Sequence, residues 1–335
     1  NLVMYPPNHK MYREKSRLLM EYLRTFTKEI EQVSVDECYM DFTSIADRWN
    51  SPVDGALEIK DGIKGRFGFT VNIGISTNKL LAKMASDFQK PDRIHTLFPE
   101  EIKAKMWPLP IGELYMAGRS SVETLKKLEI NTIGDLAQAD PELIVLHLKS
   151  HGKMLWEFAN GRGRDVVQAE PEEAKGIGNS TTLRADAETE EEVYSVFEGL
   201  AQSVGRRLKK AGKKAGMVSV EIKYYDFRTV SHQMQIEKPS NDPKVLRETA
   251  YNLFLEVWSG EPVRLLGIRT SKLADESEPE QLSIFDLEMP KEPDEKHKRL
   301  KKAMDELNAR FGPGAVVKAS LMKKAGDSTD ERNEL

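Results

Sequence analysis

The chain has 335 residues, a formal net charge of −4, and 39% hydrophobic against 31% charged residues. That is a globular composition, too long for one small core, and it predicts two or three domains. No apolar run reaches the length that spans a bilayer, and no secretory leader is readable. A single cysteine, Cys38, excludes an internal disulfide framework and suits a reducing, cytosolic setting. The near-balanced charge gives no global sign of nucleic-acid binding, so any basic surface is local. The chain opens on Asn1 and an apolar, proline-containing stretch, as though already inside a domain, which predicts a fragment or a processed chain.

Residues 11–26 predict a helix, with Leu18, Leu19, Tyr22, Leu23 and Phe26 on one face. A strand-like segment follows, Val33-Ser34-Val35-Asp36-Glu37-Cys38-Tyr39-Met40-Asp41-Phe42, holding two adjacent carboxylates. Residues 51–66 predict a second amphipathic helix. The strict alternation of residues 69–76 predicts a strand, and Ser76, Thr77 and Asn78 can cap a helix over 79–88. These elements form an α/β layer filling residues 1 to about 105. Pro108 and Pro110 punctuate its end. Short helices with tight turns fill 111–163, and 162–173 loses periodicity and predicts a linker. Residues 175–274 run strand, helix, two strands, helix, strand. The clearest strands lie at 218–224 and 263–271 and the helices at 190–210 and 243–259, which suits a four-stranded sheet backed by two helices. Residues 275–279 are acidic and proline-containing, and a tail with one more charged helix completes the chain.

Five features carry chemistry. The pair Asp36/Glu37 is costly to bury without a cation, so it is either a solvated hairpin turn or a carboxylate site for a divalent metal. The helix after the 69–76 strand offers backbone N–H groups to an anion, with Lys83 one turn along in reach of a phosphate; the alternative is a capped helix with a solvated lysine. Acidic metal ligands beside a basic phosphate contact are the parts that handle a nucleoside triphosphate.

In the helical stretch, residues 114–125 resemble a helix-hairpin-helix, whose backbone amides meet phosphate without reading sequence. Gly118 and Arg119 lie at its turn, and Met116 stands where that pattern has a glycine; a plain helical hairpin fits as well. The basic run 206–214 is either a solvated helix end or part of a DNA-facing surface. Arg184, Lys223, Arg228, Arg264 and Arg269, with Thr181, Thr229, Ser231 and Thr270 on or beside strands, would let a sheet follow a DNA backbone. Gln281, Leu282, Ser283, Ile284 and Phe285 form an apolar pentapeptide in an acidic stretch, suited to docking in a partner's pocket or to folding back on the body.

Taken together these pieces resemble the Y-family, lesion-bypass DNA polymerases, in particular their bacterial DNA polymerase IV branch. Ser34-Val35-Asp36-Glu37 is similar to the palm motif whose two acids bind catalytic Mg²⁺. Residues 74–87, followed by Lys90-Pro91, are similar to the segment whose second lysine, here Lys83, meets the incoming triphosphate. Residues 281–285 are similar to the motif that binds the bacterial sliding clamp.

The resemblance implies an α+β multidomain fold: a partial α/β palm (1–107), a helical thumb with a helix-hairpin-helix-like element (108–166), a linker (167–174), a little finger of four strands and two helices (175–274), and a flexible clamp-binding tail (275–335). It implies a Mg²⁺-dependent, low-fidelity, template-directed polymerase for translesion synthesis. Asp36 and Glu37 are then catalytic, Lys83 binds triphosphate, and Gly118, Arg119, Arg184, Arg228, Arg264 and Arg269 bind DNA. The implied partners are primer-template DNA, dNTP and the sliding clamp, the implied state a monomer, and the implied location the bacterial cytoplasm at the nucleoid.

The chain departs from the family at its start. An Asp-x-Asp-type strand supplying a third metal ligand, and a small fingers domain with an aromatic gate against ribonucleotides, have no counterpart here. Two metal ions are expected of a complete enzyme, and this chain by itself is expected to bind Mg²⁺ and dNTP poorly. Met116 and Glu129 alter the thumb hairpins. A non-catalytic DNA- and clamp-binding protein built on the same fold is the rival reading.

Overall fold

The structure, a computed structural model, describes residues 3–163, 165–170 and 172–277, together with positions 303, 306, 307 and 310, which are helical. The pentapeptide Gln281–Phe285 and most of the tail lie outside the described residues. The chain divides into two units, Asn1–Glu173 and Ala174–Leu335.

In the first unit Asn8 caps helix α1 (His9–Leu23), its side chain accepting the Met11 N–H at 3.0 Å. The helix stops three residues short of the periodicity-based end. Phe26 instead donates its N–H to the Leu23 carbonyl in a turn and still packs on the core. Strands β1 (Ile30–Gln32) and β2 (Cys38–Met40) pair antiparallel, with Ile30 opposite Met40. Ser51 and Pro52 start helix α2 (Pro52–Phe67), and Gly68 at φ 74° ends it in the left-handed conformation glycine tolerates.

The 69–76 alternation yields only a short strand, β3 (Ile73–Ile75). It pairs in parallel with β4 (Ile94–Thr96), a strand that the sequence reading did not anticipate. The expected single α/β layer is therefore two separate two-stranded sheets. Between β3 and β4 runs helix α3 (Lys79–Asp87), capped by Asn78. Helices α4 (Arg119–Lys127), α5 (Ile133–Gln138) and α6 (Pro141–Ala159) follow, with a capping box of Thr132 and Asp135 opening α5.

Two hydrophobic cores hold this unit. One joins Leu19, Met20 and Leu23 of α1 to Ile30 and to Ile59 and Ile63 of α2. The other joins Leu80, Leu81, Met84 and Ala85 of α3 to Ile111, Leu125, Ile133, Ile144 and Leu155. Helix α3 thus shares its core with the helical stretch, and a boundary at 107/108 falls inside that core.

The second unit is a four-stranded antiparallel sheet in the order β5-β8-β6-β7, formed by β5 (Gly176–Ala187), β6 (Lys213–Tyr224), β7 (Thr229–Ser240) and β8 (Val263–Asp275). Helices α7 (Glu190–Lys210) and α8 (Pro243–Val257) cover one face. Val218, Val220, Ile222 and Tyr224 alternate inward along β6 against Phe197 and Phe254, all buried. Alternation with period two leaves the other face open.

Candidate active site and nucleic-acid face

The acidic pair sits in the bend that joins β1 to β2. Ser34 organises that bend: its hydroxyl donates to Asp36 Oδ1 at 2.5 Å and accepts the N–H groups of Asp36 and Glu37. The Val33 and Ser34 amides donate to the Glu37 carbonyl at 2.9 and 3.2 Å and close the turn. Asp36 and Glu37 are both exposed, so the burial cost that would by itself demand a cation is not incurred.

Helix α3 faces this turn. Lys83 Nζ lies 2.6 Å from Glu37 Oε1 and 3.3 Å from Asp87 Oδ2. Its side chain is only 18% exposed. Burial works to lower the Lys83 pKa, but the hydrogen bond it donates to Glu37 and the charge of Asp87 outweigh it and leave the ammonium raised above its ordinary value. Lys83 is thus held charged, one side chain away from the carboxylate pair.

Two contacts that sequence reasoning missed fix α3, one against the hairpin and one against β3. Lys79 Nζ meets Glu31 Oε2 at 2.7 Å and stands 5.6 Å from the Tyr39 ring centre. The same Glu31 oxygen accepts the backbone N–H of Gln168 at 2.8 Å. The second contact is steric. A Cβ at Gly74 would lie 1.9 Å from the Ala82 carbonyl oxygen and 2.5 Å from the Ser86 nitrogen, so β3 and α3 approach as closely as only glycine allows. The sequence pointed to Lys83 on this helix; nothing local marked Glu31 as the partner of Lys79.

Burial dominates the titration of the two residues that follow the pair. It pushes the Cys38 thiol up to about 11 and the Tyr39 hydroxyl up to about 12, so both are neutral near pH 7. Asp41 is held below the ordinary carboxylate value by its hydrogen bonds from Thr43.

No group of three or more His, Cys, Asp or Glu side chains able to hold a metal ion occurs among the described residues. Two carboxylates nonetheless suit Mg²⁺, which takes one or two from a protein and its other ligands from water and substrate phosphates. Exposure on a turn leaves both open to such a shared site.

The helical hairpin keeps its turn despite the altered residue. Met116 adopts φ 69°, a left-handed conformation natural to glycine, and Glu129 adopts φ 63°. Gly118 caps α4 with no side-chain hydrogen bond. Arg119 beside it is 93% exposed and bonds Glu123 at 3.0 Å. The first turn of α4 carries no acidic residue, so its N–H groups face solvent ready for an anion.

In the second unit the strand register assigns a face to one of the expected arginines. Arg269 lies on the open face of β8, opposite Gly178 in β5 and Ser219 in β6. Arg228 follows the β6–β7 turn, where it bonds Glu261 and sits 4.6 Å from the Tyr224 ring centre. Arg264 stacks 4.8 Å from the Phe227 ring centre. Arg184 is exposed where the β5 register breaks between Thr182 and Ala187. Two of the expected hydroxyls face the other way. Thr270 is 1% exposed and donates to the Ile177 carbonyl at 2.7 Å, and Thr181 stands opposite buried Leu266. Thr229 and Ser231 do lie on the open face, opposite Lys223 and Glu221, where Ser180 and Thr182 join them. No helix among the described residues is long and apolar enough to cross a membrane.

The profile of the impB/mucB/samB family matches residues 1–87, and that of the impB/mucB/samB family C-terminal domain matches 174–284. DNA polymerase IV of Clostridium acetobutylicum is 40% identical over 324 residues, covering 97% of this chain and 80% of that protein. DNA polymerase IV 1 of Bacillus subtilis is 36% identical over 98% of this chain and 78% of its own length. A solved chimera of the Y-family DNA polymerases Dbh and Dpo4 superposes with a TM-score of 0.69 at 22% identity, over 80% of this chain and 78% of that one.

Proposed function

This chain belongs to the impB/mucB/samB family, in the DNA polymerase IV branch of the Y-family polymerases, and from that premise we infer which of its residues carry the reaction. The activity is template-directed, low-fidelity DNA synthesis of the translesion kind. Enzymes of this family use divalent metal ions. The relatives matched over nearly the whole chain are named polymerases, which removes the ground for a purely non-catalytic binding protein.

We assign 1–107 to the palm, 108–166 to the thumb, 167–174 to the linker, 175–274 to the little finger and the remainder to a tail. Asp36 and Glu37 would hold Mg²⁺ together with the substrate triphosphate. The chemistry such a cation supplies when bound is neutralisation of the transferring phosphoryl group and of the attacking and leaving oxygens. Lys83, kept protonated by its acidic neighbours, supplies a fixed positive charge for the β- and γ-phosphate oxygens. The Ser34 hydroxyl holds the turn so that the two carboxylates stay presented to one side. The single observation that carries this reading is the 2.6 Å approach of the Lys83 ammonium to Glu37, because it brings phosphate-binding charge and metal-binding charge to one place.

Duplex DNA would be held mainly by its phosphates, through the α4 N-terminus at Gly118 and Arg119 and the open face at Arg269, with Arg184, Arg228 and Arg264 at its margins. Residues Gln281, Leu282, Ser283, Ile284 and Phe285 would dock on a sliding clamp, and the protein would act as a monomer on primer-template DNA with dNTP. The test is primer extension by the full-length protein. Asp36→Ala and Glu37→Ala should each abolish extension while the protein remains folded and still binds DNA. Extension that survives either change overturns the assignment.

A further inference from the structure

We propose that Glu221, at the centre of the open face of the C-terminal sheet, limits how tightly that face holds DNA. The inference rests on the reading that this face grips DNA. Val220 and Ile222 on either side are buried under the helices, so Glu221 points away from them, onto the open face. Its register partners are Gly267 in β8 and Ser231 in β7. A Cβ at Gly267 would lie 3.1 Å from the Ser180 Cβ and 3.4 Å from the Glu221 Cβ. The Ser180 and Glu221 side chains thus close over the buried Gly267, and the exposed Glu221 side chain stands on the open face above it.

Arg269 stands two residues along β8 from Gly267, and Lys223 two residues along β6 from Glu221, so both share its face. Glu221 itself makes no hydrogen bond or ion pair among the described residues. Its charge is therefore not absorbed by a neighbour. It stands uncompensated among the groups that would meet phosphate, and DNA carries a charge every ~1.7 Å of its axis. Within a screening length of about 10 Å at moderate salt, that carboxylate repels the backbone which Arg269 and Lys223 attract. The effect is small per charge, because exposed charge pairs are worth little in water, but its sign is fixed.

The experiment measures affinity of the full chain for a primer-template duplex, by fluorescence anisotropy, from about 50 to about 200 mM salt. Glu221→Gln should bind about two- to fivefold more tightly at the low-salt end, with the gain shrinking as salt rises. Glu221→Lys should bind more tightly still and steepen the log–log salt slope by about one. Arg269→Ala, run beside them, should weaken binding and flatten the slope by about one. If Arg269→Ala weakens binding while Glu221→Gln leaves it unchanged or weaker, the role of Glu221 is overturned and the gripping face stands. If Arg269→Ala has no effect, the gripping face is overturned and the role of Glu221 with it.

Discussion

Gly74→Ala should damage this protein far more than its chemistry suggests. The added methyl would stand 1.9 Å from the Ala82 carbonyl oxygen and 2.5 Å from the Ser86 nitrogen, both backbone atoms of α3. An ordinary carbon–oxygen contact is ~3.3–3.6 Å, so helix and strand must separate by about 1.5 Å. Side-chain rotation cannot relieve the clash, because the obstructing atoms are main chain. Overpacking of this kind costs about 1–3 kcal/mol. Since α3 also carries Lys83, a shift near 1 Å at the reacting groups should lower primer extension by about 100-fold in protein that still folds.

Gly65→Ala is the matched control. It lies in α2 with nothing within 4 Å of the new methyl, and should stabilise by about 0.5–1 kcal/mol through helix propensity. Urea denaturation measures both variants, and single-turnover extension measures the second effect. If Gly74→Ala proves as benign as Gly65→Ala in both assays, the close approach of β3 to α3 is wrong.

Lys79→Met and Glu31→Gln should each cost about 1–2 kcal/mol in urea titrations, and their double-mutant cycle should show coupling above about 0.5 kcal/mol; additivity would mean the 2.7 Å contact is not made. Thr132→Ala should cost about 1 kcal/mol by removing the α5 cap. Asp135 in the same capping box is held below the ordinary carboxylate value by the Thr132 and Asn131 N–H groups. Its stabilisation is therefore complete above that ordinary value and lost as pH falls through the depressed folded value. The stability gap to Asp135→Asn should accordingly close in acid, and a gap that widens there refutes the sign. Cys38, its thiol pushed up to about 11 by burial, should alkylate slowly at pH 8 in the folded protein and at a free-thiol rate in denaturant; rapid labelling of folded protein would contradict its burial.

What could be read from the sequence was whatever local chemistry decides. Asn78 before Lys79 is a capping signal, and α3 begins where it says. The C-terminal sheet was legible because long alternating strands carry a strong period. Strand β4 was not, since three residues hold too little pattern to register. The sorting of hydroxyls failed for a more instructive reason. Thr270 adjoins Arg269, and neighbours in a strand take opposite faces, so grouping both on one DNA-facing edge contradicted the period already assigned. Where Arg184 and Arg228 sit depends instead on a register break and a turn, which only the folded chain reveals. The acidic pair was found by residue type, but its exposure followed from Ser34 folding the bend, and no periodicity encodes that.

The candidate site is assembled across a seam. The hairpin bearing Asp36 and Glu37 is anchored by Ile30, with Cys38 and Met40 packed against the same core as α1 and α2. The helix bearing Lys83 turns its apolar side into the other core, with α4, α5 and α6. Strand β3 belongs to both settings: Ile73 packs on the first core, while Gly74 lies against the backbone of α3. The distance between carboxylates and lysine is therefore not fixed by either core alone. It is set by the Gly74 contact and by the Glu31–Lys79 pair, two features that bury little apolar surface. A substitution deep in either core, such as Ile59→Ala or Leu155→Ala, should lower stability by about 2–5 kcal/mol yet leave the folded fraction's turnover near normal. Changes at the seam should do the reverse, costing less stability and more activity. If core and seam variants lose activity in the same proportion to stability, the site is held by its cores and the seam has no separate role.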